Sequence, residues 1–399
     1  MRPVTSIVGA VIIGGLAAGS AVPAFAHGFQ VIYNFTNGAD GGVPPYTLAL
    51  DKKGRLLGTA NQGGTEGAGI IFRMAEKKTG WFVTPLYNFN GNDGQPGWGL
   101  TLNKSSMYTV ASYAEVMGGP CGSALQINQS QKQWQSVLMH TFVQKDDGCP
   151  TGNMVLDKAG NAYGVTQDGG ADGWGSIYEL SPSGGGWTET ILYTFQGGSD
   201  GGAPYSGMIF DKAGNLYGTA TARGAGGCGQ GCGTVYELSP SQSGWTYKVI
   251  YTFTGGNDGG QPTAGLVFDK SGNLYGAAES FGANGGGSIF ELSPSQGGWT
   301  FNLLASPSGT GGPVVALTVV SPTEIYGTNF FDGADSYGSV FRVTESGGKW
   351  TYKDLHDFTS GADGGYPGGG ATLDAKGNLY GTTVLGGADK FGVIWEIGK

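Results

Sequence analysis

Three carboxylates interrupt an otherwise regular sequence pattern, and they are the residues best placed for acid–base chemistry. Asp168, Glu279 and Asp332 each follow a short apolar segment, at positions where related segments carry other residues. Glycoside hydrolysis uses two carboxyl groups about 5 to 9.5 Å apart, one acting as acid and the other as base or nucleophile. A pair from this set would suit a carbohydrate-active hydrolase or lyase at the mouth of a central axis, and we keep that function as an alternative.

Aromatic side chains break the same pattern, and they favour sugar binding without catalysis. Flat rings pack on the C–H faces of a sugar while neighbouring polar groups bind its hydroxyls. We expect ligand contacts from Trp98, Trp174, Asp172, Tyr205, Phe281, Phe330 and Tyr366. Nearby in register are Tyr46, Phe331, Arg223 and Asp335. The alternative for any one ring is that it seals two neighbouring repeats.

Signals for cofactor or metal chemistry are weak. The sequence contains no H-E-x-x-H or Walker motif and no dinucleotide-binding signal. His140 and His356 occupy a position that is Tyr in other copies, so we interpret both as packing residues. His27 could hold copper as a new N-terminus, but no second His is placed to help it. We predict no cofactor and no metal, and the residues favour a protein that is not an enzyme.

Aspartate–glycine pairs recur between the repeats. Their aspartates are Asp40, Asp93, Asp147, Asp200, Asp258 and Asp363. Such pairs can ligate Ca²⁺ through oxygen, but the Asp-x-Asp-x-Asp spacing of a calcium loop is missing from the sequence. A turn in which Asp accepts nearby backbone N–H groups is the favoured interpretation.

These residues belong to a repeat of four short strands. In the clearest copy the strands are 206–211, 216–220, 233–238 and 245–253. Four short antiparallel strands in roughly 50 residues are typical of a propeller blade. The third strand recurs in seven copies. The fourth strand that should follow the last copy is missing, while 27–35 stands alone at the start.

The two unmatched ends predict a closed ring. We expect an all-β, seven-bladed β-propeller of four-stranded antiparallel blades, in which the N-terminal strand 27–35 pairs with 392–397 of the last blade. Closure removes the two sheet edges that an open array would leave. An open array of hairpins is the alternative. In the ring, the first strand of each blade lines the axis, and the long loops share one face, here called the long-loop face.

Composition and the N-terminus predict an exported protein. Residues 1–26 resemble a signal peptide, with Arg2, an apolar segment at 7–17 and Ala24-Phe25-Ala26 before the cleavage site. Residues 27–399 then form a single domain. No other apolar run reaches the ~20 residues of a membrane span. A net charge of −9 argues against nucleic acid. We expect a secreted or periplasmic monomer.

The four cysteines allow three disulfide pairings, and export permits disulfides. All four map to the long-loop face, which favours Cys121–Cys149 and Cys228–Cys232. A metal site at the C-x-x-x-C spacing is the less favoured alternative.

One string identifies a family resemblance. The sequence G-N-L-Y-G-T, a G-G pair, then G-[ST]-[VI]-[YF]-E-L-S-P-S and a Trp strand resembles the bacterial GloVer tandem repeat, over essentially all of 27–399. This resemblance implies a β-propeller with an extracellular or cell-surface destination, and it implies no known activity. Some members of that family carry C-terminal anchors, whereas this chain ends in Glu396-Ile-Gly-Lys399.

The sequence therefore favours one function over two others. The preferred hypothesis is a non-catalytic binding propeller that recognises extracellular glycans or cell-surface partners through its long-loop face. The first alternative is the carbohydrate-active enzyme described above. A structural extracellular repeat protein is the second.

Overall fold

The computed structural model describes residues 28–113, 119–307 and 314–399. Throughout these ranges every regular element is a β-strand, and the strands form seven antiparallel sheets. The predicted all-β, seven-bladed propeller is confirmed. In the described ranges no helix could cross a bilayer. The predicted signal peptide and His27 lie outside these residues.

The strands follow the repeat, and the blades are numbered along the chain. The first strand is β1 (Phe29–Asn34), which belongs to blade 7. Blade 1 contains β2 (Ala49–Leu50), β3 (Leu56–Ala60), β4 (Ile70–Lys77) and β5 (Gly80–Asn88). Blade 2 contains β6 (Gln95–Pro96), β7 (Thr101–Asn103), β8 (Ser106–Ser112), β9 (Pro120–Ser130) and β10 (Gln133–Val143). Blade 3 contains β11 (Pro150–Leu156), β12 (Ala162–Thr166), β13 (Ser176–Ser183) and β14 (Gly186–Thr194).

The remaining blades have the same order. Blade 4 contains β15 (Ile209–Phe210), β16 (Leu216–Ala220), β17 (Thr234–Ser241) and β18 (Gly244–Thr252). Blade 5 contains β19 (Val267–Phe268), β20 (Leu274–Ala278), β21 (Ser288–Ser295) and β22 (Gly298–Ala305). Blade 6 contains β23 (Val314–Ser321), β24 (Glu324–Asn329), β25 (Ser339–Ser346) and β26 (Lys349–Asp357). Blade 7 contains β27 (Thr372–Leu373), β28 (Leu379–Thr383) and β29 (Val393–Ile397).

Ring closure occurs where the unmatched ends predict it. β1 pairs antiparallel with β29, so that Phe29 lies opposite Ile397 and Asn34 lies opposite Val393. The paired strands are slightly shorter than the predicted 27–35 and 392–397. Trp395 in β29 is fully buried. The N-terminal segment therefore supplies the fourth, outermost strand of blade 7.

A repeated aspartate holds the tight turn between the first and second strands. In blade 4, the Oδ1 atom of Asp211 accepts the backbone N–H groups of Ala213 at 2.8 Å and Asn215 at 2.9 Å. Its Oδ2 atom accepts the Asn215 side-chain amide at 2.8 Å. Similar bonds to backbone N–H groups recur at Asp51, Asp157, Asp269 and Asp374. These carboxylates stabilise turns by satisfying backbone donors.

A small residue in the second strand faces a large ring in the third. A methyl group added at Gly276 would lie 2.5 Å from the Phe290 ring. Comparable glycine–aromatic pairs are Gly58–Phe72, Gly164–Tyr178, Gly218–Tyr236, Gly327–Phe341 and Gly381–Trp395. Blade 2 differs, because Thr109 lies opposite Leu125 in that register. A larger residue in one strand is thus matched by a smaller one in the other, as close packing requires.

The first strands surround the axis. Thr372 of blade 7 donates its hydroxyl to the Leu48 carbonyl of blade 1 at 2.6 Å. The Thr151 hydroxyl of blade 3 bonds the Pro204 carbonyl of blade 4 at 3.0 Å. Each bond joins the first strand of one blade to the segment that leads into the first strand of the next blade. These leading segments therefore lie around the axis, at the end that we call the axial mouth.

The outer seams between blades repeat a Tyr–Asp or His–Asp pair. The Tyr193 hydroxyl donates to Asp200 at 3.0 Å, and the ring stacks on Tyr247 of the next blade at 3.9 Å between centroids. Corresponding pairs are Tyr33–Asp40, Tyr87–Asp93, His140–Asp147, Tyr251–Asp258 and His356–Asp363. Every one of these aspartates also accepts a nearby backbone N–H group. They are the aspartates of the Asp-Gly pairs, and this bonding supports the turn interpretation.

We expect His356 to make stability depend on pH. The ring stacks on Phe29 at 3.6 Å, and burial lowers its pKa despite the hydrogen bond to Asp363 and the charge of Asp357. The ordinary pKa of about 6.5 applies to the unfolded chain. As pH falls below about 6.5, the unfolded chain therefore takes up this proton first, and the stability contributed by neutral His356 is lost.

The His356→Tyr variant tests this expectation, because Tyr is the residue at this position in four other copies. Denaturant unfolding of both proteins between pH 5 and pH 8 gives the free energy of unfolding. The wild type should lose more stability on acidification than the variant. Equal losses would show that His356 does not titrate as described.

Candidate functional site

Three aromatic side chains from three blades meet at the axial mouth. The Tyr46 and Trp98 rings lie 5.5 Å apart between centroids and tilted by 30°. Trp98 meets Tyr205 edge-to-face, at 5.2 Å and 81°. These residues come from blades 1, 2 and 4, so the contact between Trp98 and Tyr205 passes over blade 3. We call them the axial aromatic group.

Local sequence explains why these rings can meet. Each stands one or two residues after a proline, in the segment that enters the first strand of its blade. Blade 3 has Gly152 at the position of Trp98. A methyl group added at Gly152 would lie 2.1 Å from the backbone nitrogen of Gly207. Blades 3 and 4 therefore approach each other closely at this position.

The carboxyl group of Glu279 in blade 5 acts electrostatically on one of these rings, Tyr205. It is half-buried, and burial raises its pKa above the usual range for glutamate. Burial and then the negative charge of Glu279 raise the pKa of Tyr205, and burial raises the pKa of Tyr46. Both phenols therefore remain protonated at neutral pH and can donate hydrogen bonds. With 42% of Tyr205 exposed, part of the group is open to a ligand.

The other two carboxylates proposed for catalysis have structural partners. Asp168 accepts the Cys149 backbone N–H at 2.7 Å and the Gln144 side-chain amide at 3.2 Å. Asp332 accepts the Tyr352 hydroxyl of an outermost strand at 3.2 Å. In the described ranges no hydrogen bond joins Asp168, Glu279 and Asp332 to one another. Asp168 and Asp332 therefore already accept hydrogen bonds from neighbouring groups.

A second aromatic group lies at the junction of blades 6 and 7. Phe330 lies 4.8 Å from Phe331 and 5.3 Å from Tyr366, between ring centroids. Tyr337 packs against Tyr366 at 5.3 Å. Phe331 is 48% exposed, whereas Phe330 and Tyr366 are half-buried. Two of the predicted ligand residues thus contact each other here.

Trp174 lies in the seam between blades 3 and 4. The Arg223 guanidinium stacks over the Trp174 ring at 3.8 Å. The backbone carbonyl of Trp174 accepts the Ala203 N–H at 2.9 Å. A methyl group added at Gly197 would meet the indole at 2.3 Å. These contacts fit the sealing alternative for this ring. Asp172, in the same loop, is exposed.

Phe281 and Arg223 adopt an unusual backbone conformation. Their φ angles are 64° and 65°, in the left-handed region, where the corresponding positions of other blades carry Gly63, Gly169 and Gly386. Such a conformation costs a non-glycine residue about 1 to 3 kcal/mol, and such outliers cluster at functional sites. Phe281 is 40% exposed on the long-loop face.

Both predicted disulfides are present. Cys121 bonds to Cys149, and Cys228 bonds to Cys232. The first joins the third strand of blade 2 to the connection that enters blade 3. The second closes the longest loop of blade 4, close to Gly260 and the Phe281 ring.

Two features of the outer rim escaped sequence reasoning. A groove of about 580 Å³ lies between the outer strands of blades 1 and 2, with Arg73, Lys132 and Trp134 among its lining residues. At the next seam, His140, Asp147 and Glu189 form one cluster. The sequence did contain one indication of this cluster. Glu189 is a carboxylate at a position where other copies carry aromatic residues such as Tyr247.

Comparisons with known proteins agree with the fold. A candidate 6-phosphogluconolactonase from Bacteroides uniformis superimposes with a TM-score of 0.53 at 13% identity, covering 78% of this chain and 84% of that one. A candidate oxidoreductase (glucose dehydrogenase) from Thermus thermophilus gives a TM-score of 0.43 at 14% identity, covering 92% and 99%. At such identities the first likeness shows the fold alone.

Sequence comparison gives the family. No curated protein matches the chain. The Gloeobacter/Verrucomicrobia repeat matches twice, over residues 21–231 and 225–399, and together these matches span the seven blades. The sevenfold repeat, the closed ring and these two matches agree, and the chain belongs to the Gloeobacter/Verrucomicrobia repeat family.

Proposed function

We propose that this protein is an exported, non-catalytic binding propeller whose axial aromatic group recognises an extracellular glycan. The observation that carries the proposal is the convergence of Tyr46, Trp98 and Tyr205 from three blades. Rings brought together from separate blades form a rigid surface, because each stands in the segment that enters the first strand of its own blade. Little conformational entropy is then lost when a ligand binds.

The chemistry around the rings suits a sugar. Trp98 and Tyr205 lie nearly perpendicular, so they present differently oriented surfaces to a ligand. Tyr46 and Tyr205 supply protonated hydroxyl groups, and Glu279 supplies a partly desolvated carboxyl group. Aromatic faces for C–H groups and a few placed polar groups for hydroxyls are the usual elements of such a site.

Two further observations support this function. Catalytic hydrolysis needs a second carboxyl group near the first, and the contacts of Asp168 and Asp332 direct both carboxylates to other partners. Export agrees with the two disulfides, which persist in oxidising compartments.

A glycan array followed by calorimetry tests the proposal. We expect Trp98→Ala and Tyr205→Ala each to raise the Kd of the best glycan by about tenfold or more, which corresponds to about 1.4 kcal/mol. Phe331→Ala is the matched control, because that ring is exposed but belongs to the other aromatic group. It should leave the Kd unchanged.

Three outcomes would contradict the proposal. The wild type could bind no glycan, or the Trp98→Ala, Tyr205→Ala double variant could bind as the wild type does. Release of shortened sugar from a bound glycan would instead support the hydrolase or lyase.

A further inference from the structure

The seam between blades 2 and 3 lacks the aromatic stacking that the next two seams show. Tyr193 stacks on Tyr247 at 3.9 Å, and Tyr251 stacks on Phe301 at 4.7 Å. At the seam between blades 2 and 3, the corresponding residues are His140 and Glu189. A histidine and a carboxylate thus replace two packed rings.

The replacement brings three potential metal ligands together. His140 Nε2 lies 2.5 Å from Asp147 Oδ2 and 3.6 Å from Glu189 Oε2. The ligand atoms of all three residues lie within 4.8 Å of one another. Asp147 is held in place by the Val143 N–H, which donates to its other oxygen at 2.6 Å. Between 13% and 23% of each side chain is exposed, so an ion can reach the cluster.

Two buried polar atoms beside the cluster lack partners. One is Oε1 of Glu189, and the other is the hydroxyl of Tyr178, whose side chain is fully buried. Burial, and then the charges of Glu189 and Asp147, raise the pKa of Tyr178. An unpaired buried polar group costs about 1 to 3 kcal/mol and calls for an explanation.

We propose that His140, Asp147 and Glu189 bind one Zn²⁺ ion, with Tyr178 supporting the site from the buried side. One imidazole and two carboxylates match the ligand types of zinc sites that keep an open coordination position. Ca²⁺ takes 6 to 8 oxygen ligands, which suits this set less well. The free oxygen of Glu189 and the Tyr178 hydroxyl could then bond to the ion or to its bound water. This proposal is independent of glycan binding.

The ring contains its own control for this site. His356 and Asp363 repeat the His–Asp pair at the seam between blades 6 and 7, at 3.1 Å. There Phe29 occupies the position of Glu189 and stacks on the imidazole at 3.6 Å. That seam therefore has two of the three ligands, and we expect no zinc to bind there.

Calorimetry with Zn²⁺, supported by elemental analysis, tests the site on metal-free protein without a histidine tag. The wild type should bind one equivalent. His140→Tyr restores the residue found in other copies, so the variant should fold, and it should lose that equivalent. Glu189→Tyr should do the same, since Tyr247 and Tyr352 occupy its position elsewhere. His356→Tyr should bind as the wild type does.

A second pair of variants separates support of the metal from packing. Tyr178→Phe should weaken zinc binding by about 10- to 100-fold, the usual effect of removing a group that supports a metal ligand. Phe occurs at this position in blades 1, 5 and 6, so the fold tolerates it. Tyr236→Phe removes the equivalent buried hydroxyl of blade 4 and should leave the affinity unchanged.

The proposal fails if the folded wild type binds no zinc, or if His140→Tyr binds it as tightly as the wild type. Binding of Ca²⁺ in preference to Zn²⁺ would also overturn it. Equal effects of Tyr178→Phe and Tyr236→Phe would remove the supporting role of Tyr178.

Discussion

A chain that lacks residues 28–36 will not form the stable native ring. The deletion removes the outermost strand of blade 7 and exposes Trp395, which is fully buried in the ring. It also removes Phe35, a fully buried residue that packs against Phe72 of blade 1 at 5.3 Å. Losing Phe35 alone should cost about 3 to 5 kcal/mol, against a total stability of about 5 to 15 kcal/mol for a typical domain. Near-ultraviolet circular dichroism and thermal unfolding measure the loss.

Adding a synthetic peptide of residues 28–36 provides the control. If β1 acts as an added strand on the free edge of β29, the peptide should restore a cooperative unfolding transition. A peptide of the same composition in scrambled order should not. A shortened chain that unfolds at the wild-type temperature would show that closure contributes little to stability.

The second large effect is expected at Gly276, where threonine should destabilise blade 5 by about 3 kcal/mol, at the upper end for overpacking. The added Cβ would lie 2.5 Å from the Phe290 ring and 2.9 Å from Leu266. Phe290 is fully buried, so its ring has little room to move. Replacing Phe290 with Leu in the same chain should recover much of the loss, because blade 2 naturally pairs Thr109 with Leu125. Denaturant unfolding of both single variants and the double variant gives the coupling energy.

Gly297→Thr is the matched control for this cycle. An added Cβ there meets no atom within 4 Å, so the change should cost little. Additive effects at Gly276 and Phe290 would refute the compensation, since residues in direct contact should couple by about 0.5 to 3 kcal/mol.

The architecture could be predicted because every blade repeats the same physical solution. Three features recur in the sequence: the Asp turn at Asp211, the glycine opposite a ring at Gly276 and the outer tryptophans. One well-defined copy therefore allows the weaker copies to be recognised. Closure followed from counting strands: the spare segment at the start matches the missing one at the end. The pairing of the N-terminal segment with the last strand of blade 7 needed no information beyond this count, whereas the register of Phe29 opposite Ile397 came from the structure.

The axial site could be predicted only in part. Tyr205 and Trp98 were identified because they break the repeat, but their contact depends on how blades 2 and 4 approach across blade 3. Part of that arrangement is the close packing of Gly152 in blade 3 against Gly207 in blade 4, which no single-copy pattern encodes. In the same way, Asp168 breaks the repeat yet bonds the Cys149 backbone, so breaking the pattern does not distinguish a ligand contact from a local structural bond.

The cluster on the outer rim could not be predicted for a different reason. His140 was interpreted by its own position, where Tyr is usual, and Glu189 was not considered because it lies in the next blade. Their proximity is nevertheless regular: each seam brings the same two positions together, as Tyr193 and Tyr247 show. Comparing residues across neighbouring copies, in addition to residues at one position, would have found the cluster.

The pairing that closes the ring also determines how the protein would respond to mechanical force. Because β1 and β29 run antiparallel with Phe29 opposite Ile397, the start of one strand lies beside the end of the other. Tension applied between the two termini would load the hydrogen bonds of this pair one after another, as in unzipping, and would not load them all together. The ring should therefore open at low force by peeling at blade 7, while the other six blades keep their sheets.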